Sequence, residues 1–201
     1  MTFLESIKVK DGQCYLLDYH QDRIDRTAHQ YGFTTQSWSL KDQVSKLEIP
    51  PHGIFKLRLV YHASTIQMGL QPYTIRPVKK LQLVHDDQIE YASKYVDRKS
   101  LTGLFSKRGA ADDIIIVKNG LLTDSYYANL AFLKENKWYT PKLPLLAGTK
   151  RQFYLEENIL SEADISPADI AQFEKIALIN AMIDLEDQVW IESDQVYFEM
   201  L

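Results

Sequence analysis

The side chains most able to do chemistry follow none of the standard catalytic or metal-binding spacings. The sequence has no glycine-rich dinucleotide motif, no phosphate loop, no HExxH and no GxSxG. The five histidines are scattered without metal-ligand spacing, so no metal site is predicted. They are His20, His29, His52, His62 and His85. The paired acids at 86–87 and 112–113 are more typical of solvated turns than of an acid/base pair, and Cys14 alone can form no intrachain disulfide.

Four separated segments carry a more specific pattern when they are taken in order along the chain. They are YASKYVDR (91–98), DIIIVKNGLLTDSYYANL (113–130), WYTP followed by LLAGTKRQ (138–152), and INAM (179–182). Two more precede them, FLESIKV (3–9) and HQDRI (20–24). In order and spacing the set resembles the fold-type IV pyridoxal-phosphate (PLP) enzymes, the family of class IV aminotransferases and 4-amino-4-deoxychorismate lyases. Each segment alone is a weak signal, but the ordered set is specific and covers nearly the whole chain.

The resemblance assigns the central chemistry to one amine and one acid. Lys94 matches the lysine that holds PLP as a Schiff base and moves the proton of the substrate carbon, so it is the predicted catalytic residue. Asp124 stands where the family usually has a glutamate that keeps the pyridine nitrogen protonated, which lets the ring act as an electron sink. The aspartate keeps the charge but has a shorter reach. Without these motifs, Lys94 would be a surface lysine and Asp124 a turn residue.

The remaining predicted cofactor residues belong to the 5′-phosphate and the ring face. Phosphates are bound by backbone N–H groups, hydroxyls and arginine. Arg23 matches the phosphate arginine, Gly148-Thr149-Lys150 opens a helix, and Leu146 matches the residue packed on the ring. Ala181 stands where many aminotransferases have Ser or Thr, so only its backbone N–H can contribute. The full predicted cofactor-binding set is Arg23, Lys94, Asp124, Leu146, Thr149, Lys150 and Ala181.

Three residues are candidates for contact with the substrate. Lys56 and Arg58 lie on one face of a predicted strand, because side chains alternate along a strand. They match family positions near the substrate, where they could pair with a carboxylate; two exposed cations on an edge strand are the alternative. Tyr127 stands where the family usually has a small residue and could narrow the pocket or pack at a dimer contact. The hairpin that precedes the FETIRV-like strand in typical members has no counterpart before Phe3, which leaves the substrate class open.

The pattern of apolar residues, turns and helix signals indicates an α+β protein. Strands are predicted at 3–9, 54–61 and 113–118, with shorter ones at 65–68 and 73–75, and helices at 20–31 and 150–158. The segment from Tyr91 to Phe105 is predicted to be a helix that carries Lys94. Asn119-Gly120 is predicted to be a tight hairpin turn whose second strand is Leu130 to Leu133. The resemblance implies two lobes: a small N-terminal α/β lobe (1–85) and a larger cofactor-binding lobe with a pseudo-barrel sheet (86–201).

Composition limits the partners. The chain has 201 residues, 45% of them hydrophobic, which is enough for a sizeable core. A net charge of −4 and a pI near 5.7 give no electrostatic reason to expect nucleic acid or an anionic membrane. The N-terminus lacks the basic and apolar regions of a signal peptide, and no apolar run is long enough to span a bilayer. A cytoplasmic protein is therefore expected.

The resemblance leaves three functions open. A lyase similar to 4-amino-4-deoxychorismate lyase, which eliminates pyruvate to give 4-aminobenzoate for folate synthesis, is favoured by the Lys94-x-x-Asp97-Arg98 pattern and by Asn180-Ala181-Met182. A class IV aminotransferase acting on branched-chain or D-amino acids is the close alternative. A non-catalytic PLP-binding relative is the third. By resemblance, the protein acts on a small amino-acid-like molecule and forms a homodimer.

Overall fold

The computed structural model describes residues 1–35, 38–63 and 65–198. Two β-sheets and a few short helices make up this part of the chain, so the predicted α+β class is confirmed. The helices are α1 (Leu17–Gln30), α2 (Leu40–Val44), α3 (Lys99–Phe105) and α4 (Thr149–Glu156). The strands are β1 (Phe3–Lys10), β2 (Gln13–Cys14), β3 (Ile54–His62), β4 (Thr65–Pro72), β5 (Leu81–His85), β6 (Asp113–Lys118), β7 (Leu121–Ser125), β8 (Asn129–Lys134), β9 (Lys137–Pro141), β10 (Leu160–Ala163), β11 (Lys175–Ile179), β12 (Trp190–Glu192) and β13 (Val196–Tyr197).

The chain divides into two compact units. The first contains residues 1–75 and 93–97, and the second contains residues 76–92 and 98–201. The second unit begins at residue 76 and therefore includes β5. The boundary predicted from the sequence lies after residue 85 and so assigns β5 to the N-terminal lobe. The short segment 93–97, which includes Lys94, returns to the first unit.

The first unit is an antiparallel sheet, in the order β2-β1-β3-β4, covered on one face by α1. Alternate residues of β1 and β3 point into the core, as the period of two requires. The fully buried core consists of Phe3, Ile7, Val9, Ile24, Leu40, Leu57, Leu59 and Tyr61. Helix α1 buries residues at helical spacing, namely His20, Arg23, Ile24, Thr27 and Ala28. Its buried stripe therefore mixes apolar residues with two that can carry charge.

The predicted helix from Tyr91 to Phe105 is wrong in its first half. Helix α3 begins only at Lys99, and the segment around Lys94 pairs with β1 instead. The Leu4 N–H donates to the Lys94 carbonyl (2.9 Å), and the Val96 N–H donates to the Thr2 carbonyl (3.0 Å). Strand β2 spans only two residues, so the edge of β1 near Phe3 is open to this segment.

The second unit contains the remaining strands of the described chain, β5 to β13. Their order is β10-β9-β8-β7-β6-β5-β13, with β11 added beside β8 and β12 beside β11. Strand β6 is buried over nearly its whole length, as its apolar run predicts. Positive φ angles at Asn119 (51°) and Gly120 (77°) confirm the tight turn after β6.

Two predicted strand pairings differ from the structure. The hairpin partner of β6 is β7, whereas Leu130 to Leu133 belong to the next strand, β8. The strands predicted at 65–68 and 73–75 are replaced by the single strand β4, which continues through Gly69 to Pro72. Gly69 pairs with Arg58 inside the ladder, so this glycine marks no turn.

Candidate functional site

The predicted site residues fall into two groups, one in each unit. Arg23, Lys56, Arg58 and Lys94 belong to the first unit. Asp124, Tyr127, Leu146, Thr149, Lys150 and Ala181 belong to the second unit.

In the first unit, Arg23 is part of a buried charge cluster. Its Nε donates to Glu5 Oε1 at 2.9 Å, and its Nη2 donates to Glu5 Oε2. His20 Nδ1 lies 2.6 Å from the same Oε2 atom. Burial would raise the pKa of Glu5, but the Arg23 charge and the His20 hydrogen bond lower that pKa from 4.5 to about 2. Glu5 is therefore ionised, and it fixes the plane of the Arg23 guanidinium.

His20 completes this cluster as a neutral ring. Burial lowers the pKa of His20, and the charges of Arg23 and Lys94 lower it further, against the opposing effect of Glu5. A neutral ring that donates from Nδ1 to Glu5 has a lone pair on Nε2. That atom is buried and has no hydrogen-bond partner in the described part of the protein. Sequence reasoning missed Glu5 and His20, although Glu5 stands between Phe3 and Ile7 on the inward face of β1.

Lys94 is positioned by its backbone and by its neighbour. The pairing with β1 described above holds the Lys94 carbonyl, and the side chain is partly exposed. The Tyr95 ring packs beside Phe3, with ring centroids 5.7 Å apart, and its hydroxyl forms a hydrogen bond with that of Tyr31. A bulky anchor next to a backbone ladder restricts where the Lys94 amine can reach.

Lys56 and Arg58 share the face of β3 that points away from the core. In the antiparallel register Lys56 lies opposite Lys8, and Arg58 lies opposite Ser6. The Lys56 ammonium is 5.8 Å from the centre of the Tyr73 ring, and Arg58 is exposed. The prediction that these two cations share a face is confirmed, and the same face carries Lys8, which sequence reasoning did not single out.

In the second unit, Asp124 is a buried carboxylate held by neutral donors. The Leu146 N–H donates to Oδ2 at 2.9 Å, and Asn129 Nδ2 donates to Oδ1 at 2.8 Å. Burial raises the pKa of Asp124 from 3.8 to about 6 despite these hydrogen bonds and the more distant charge of Arg151. Within the described part of the chain, no cation forms an ion pair with Asp124.

A β-bulge sets the direction of Asp124. Val117 pairs with Leu122 but Ile115 pairs with Ser125, so β7 has one more residue than β6 over this interval. The Thr123 hydroxyl donates to the Ile116 carbonyl at 2.8 Å, which satisfies a backbone acceptor at the irregularity. Beyond it, the Asp113 carboxylate accepts the N–H of Tyr126 at 3.2 Å and closes the turn that leads to Asn129.

Thr149 is the first residue of α4 and has an unsatisfied hydroxyl. Thr149 is only 2% exposed, and its Oγ1 has no hydrogen-bond partner among the residues that the structure describes. Gly148 precedes the helix in an extended conformation, and no side chain caps the first turn. Buried hydroxyls are normally paired, so this atom and the helix N-terminus fit an anion such as a phosphate group.

Lys150 pairs with Asp184, which follows the turn that contains Ala181. The Lys150 ammonium forms an ion pair with Asp184, so the side chain of Lys150 is engaged within the protein. Ala181 lies in a tight turn in which the backbones of Asn180 and Ile183 exchange both hydrogen bonds, at 3.1 and 3.0 Å. Asn180 Nδ2 donates to the Tyr127 carbonyl at 3.3 Å, which ties this turn to the segment after Asp124.

These residues fit the groups that PLP presents. The orphaned Thr149 hydroxyl suits a phosphate, and an anionic acceptor at Asp124 suits a protonated pyridine nitrogen. The described residues contain no cluster of three or more His, Cys, Asp or Glu side chains that could hold a metal ion. Within the same part of the chain, no helix is both long and apolar enough to cross a membrane.

Comparisons with known proteins agree with this chemistry. The family model for amino-transferase class IV matches residues 2–185. An uncharacterized protein of Haemophilus influenzae is 35% identical over 181 residues, which is 89% of this chain and 96% of that protein. A Haemophilus somnus structure, provisionally assigned as a 4-amino-4-deoxychorismate lyase, has 31% identity and a TM-score of 0.86, and the match covers 90% of this chain and 96% of that one. A Mesorhizobium loti structure, provisionally assigned as an amino-acid aminotransferase, has a TM-score of 0.79 at 19% identity over 98% and 99% of the two chains, which shows the shared fold.

Proposed function

The chain belongs to the class IV aminotransferase family, whose cofactor is pyridoxal 5′-phosphate, and we propose that it is a lyase resembling 4-amino-4-deoxychorismate lyase. Such an enzyme eliminates pyruvate from its substrate and leaves 4-aminobenzoate. The main support is the match over nearly the whole chain to the Haemophilus somnus structure that carries this provisional assignment. The Lys94-x-x-Asp97-Arg98 pattern supports the same reaction.

The predicted cofactor-binding residues have the following roles in this proposal. When bound, PLP supplies an aldehyde that condenses with amines and a ring that accepts electrons. Lys94 provides the amine that holds the aldehyde. Asp124 keeps the ring nitrogen charged, and Leu146 packs on the ring face. Arg23, oriented by Glu5, and Thr149, with its unsatisfied hydroxyl, bind the phosphate. Backbone N–H groups of Lys150 and Ala181 add donors.

Proton movement falls to Lys94. Loss of pyruvate with formation of an aromatic product requires removal of a proton from the ring carbon that bears the amine. The Lys94 amine would act as the base that removes this proton and would return a proton to the departing group. The hydrogen bond from the Leu4 N–H to the Lys94 carbonyl and the packing of Tyr95 on Phe3 support this role, because they fix the backbone that carries the amine.

We propose that the cationic face of β3 recognises a substrate carboxylate. Lys56 and Arg58 point to the same side of the sheet, and Lys8 stands directly opposite Lys56. Cations on one face of a strand can pair with an anionic group such as a carboxylate. Tyr127, a residue of the second unit, is also proposed to contact the substrate.

A class IV aminotransferase is the second candidate, because the family to which the chain belongs includes that activity. It would act on branched-chain or D-amino acids and use the same lysine, acid and phosphate ligands. A non-catalytic PLP-binding relative is the third. We further propose that the protein is cytoplasmic and forms a homodimer. Sedimentation analysis of the purified protein would test the homodimer, and cell fractionation would test the location.

The reaction can be tested by two assays on the holoenzyme. We expect pyruvate release from 4-amino-4-deoxychorismate and no keto-acid formation from a panel of L- and D-amino acids; the reverse result would establish the aminotransferase. Lys94→Ala should reduce kcat at least about 1000-fold. Lys137→Ala, an exposed lysine on β9, is the matched control and should leave kcat unchanged. Turnover in neither assay, or turnover that survives Lys94→Ala, would contradict the proposal.

A further inference from the structure

Asn129 lies at the meeting point of three segments of the second unit. It begins β8, forms the bridge partner of Asp124, and is 5% exposed. One Nδ2 hydrogen bond goes to Asp124 Oδ1 at 2.8 Å and the other goes to the Leu146 carbonyl at 2.9 Å. A side-chain amide has two N–H donors, so both are used here. The Leu146 N–H returns to Asp124 Oδ2 at 2.9 Å, which closes a ring of three hydrogen bonds.

Gly148 lies against the other end of the Asn129 amide. The backbone of Gly148 has φ −71° and ψ 141°, an extended conformation that any residue adopts. A Cβ at this position, however, would lie 1.9 Å from Asn129 Oδ1, which is far inside contact distance. The requirement for glycine therefore comes from Asn129 rather than from backbone strain.

These contacts join groups that serve opposite ends of the cofactor in the proposed function. Asp124 and Leu146 serve the pyridine ring, whereas Gly148 immediately precedes Thr149 and the phosphate-binding turn of α4. We propose that Asn129 is a positioning residue that couples these ends, so that ring recognition and phosphate recognition depend on each other. It acts by holding the Asp124 carboxylate and the Leu146 backbone in place while it packs against Gly148.

The coupling can be measured by cofactor binding, independently of the reaction catalysed. Dissociation constants of PLP and of pyridoxal, which lacks the phosphate, are determined by absorbance and fluorescence titration of the full-length apo-protein. Gly148→Ala should displace the Asn129 amide and weaken both ligands about tenfold. If Gly148 is needed only to let the backbone approach the phosphate, the variant should bind PLP more weakly and bind pyridoxal as before. That result would overturn the proposal.

A double-mutant cycle tests the role of Asn129 directly. In an Asn129→Ala background the clash is absent, so adding Gly148→Ala should change either dissociation constant less than about twofold. An equal loss in both backgrounds would also overturn the proposal. Gly103→Ala is the matched control, because no atom lies within 4 Å of the added Cβ in α3, and binding should not change.

Asn129→Ser, a substitution to a smaller side chain, keeps the proposal testable if Gly148→Ala does not fold. Asn129→Ser lacks the amide donors and should weaken PLP and pyridoxal together, whereas unchanged binding of both ligands would contradict the coupling. Circular dichroism and thermal unfolding verify that each variant is folded. A wild-type protein that binds PLP but releases no pyruvate would refute the proposed lyase reaction and leave these binding comparisons valid.

Discussion

Glu5 in the first unit and Asp124 in the second are both buried carboxylates, but their neighbours give them opposite ionisation behaviour. Burial alone would raise both pKa values. Glu5 faces the Arg23 guanidinium and His20, and its pKa falls to about 2. Asp124 faces an amide and a backbone N–H, and its pKa is raised to about 6. At Asp124 the neutral donors do not offset the loss of water around the carboxylate, whereas at Glu5 the hydrogen-bonded guanidinium and the imidazole do.

The comparison explains how the protein prepares for its cofactor. The first unit already contains the cation that stabilises its carboxylate, so Glu5 is ionised within the cluster of Glu5, His20 and Arg23 before any ligand binds. In the second unit the cation is missing among the described residues, and a protonated pyridine nitrogen would supply it. In the proposed function, Asp124 would therefore gain its ionic partner only when PLP binds.

The largest expected effect is a loss of stability when the Glu5 carboxylate is removed from its cluster with Arg23 and His20. Glu5→Gln should destabilise the protein by about 3–5 kcal/mol, because it leaves the buried Arg23 charge without its carboxylate. Urea unfolding at pH 7 measures the change. Glu48→Gln, an exposed acid of the same unit, should shift the free energy of unfolding by less than about 0.5 kcal/mol. Equal stability of the two variants would show that the Glu5 cluster contributes little.

The pH dependence of stability should have opposite signs for the two acids. The pKa of Glu5 is lowered on folding, so its contribution to the free energy of unfolding is present above pH 4.5 and is lost as the pH falls towards about 2. The pKa of Asp124 is raised on folding, so its contribution to the free energy of unfolding is present below pH 3.8 and is lost as the pH rises to about 6. Each shift corresponds to about 3 kcal/mol at full extent.

Comparison of apo-protein with holoenzyme isolates the Asp124 part of this dependence. The pKa of Asp113 is also raised by burial to about 6, but Asp113 accepts two backbone N–H groups, lies 3.6 Å from Arg76 and is not a predicted cofactor residue, so its contribution should be the same with and without PLP. Unfolding measured from pH 4 to pH 7 should show a loss of stability in the apo-protein that is smaller with PLP bound. The Asp124→Asn variant should reduce the difference in slope between the two forms. Identical slopes in wild-type apo-protein and holoenzyme would contradict a cationic partner at Asp124.

The smallest expected effect concerns two of the buried threonines of the second unit, Thr149 and Thr140. The Thr149 hydroxyl has no hydrogen-bond partner among the described residues, so Thr149→Val should leave apo-protein stability unchanged and weaken PLP binding about tenfold. The Thr140 hydroxyl donates to the Leu130 carbonyl, so Thr140→Val should lose about 1 kcal/mol of stability with unchanged PLP affinity. Thermal unfolding and PLP titration measure the pair. If Thr149→Val loses stability instead of affinity, its hydroxyl has a structural role.

Sequence patterns predicted β1, β3 and α1 of the first unit because alternation and helical spacing are strong there. They placed Lys56 and Arg58 on one face correctly, since that inference needs only the period of a strand. The helix predicted around Lys94 is wrong because pairing of this segment with β1 involves residues distant in sequence. Local propensity contains no information about such an open edge.

The missed residues have a similar explanation. Glu5 is a charged residue on an inward face, and its burial becomes reasonable only with Arg23 and His20 beside it. The hairpin partner of β6 was misplaced because Thr123 and Asp124 make β7 look like a polar loop, although both side chains are buried and satisfied. Buried strands are usually apolar. Departures from this pattern are expected at sites that bind a ligand, and sequence reasoning fails most easily there.

The extra residue in β7 has a consequence for how this strand tolerates change. In a regular ladder, removal of one residue turns every following side chain to the opposite face. A deletion at 122 or 123 would restore the pairing count with β6 and turn the Asp124 carboxylate away from Leu146 and Asn129, with all the relevant side chains still present. The acid's direction is thus encoded by strand length, and shortening this strand should be more harmful than most substitutions within it.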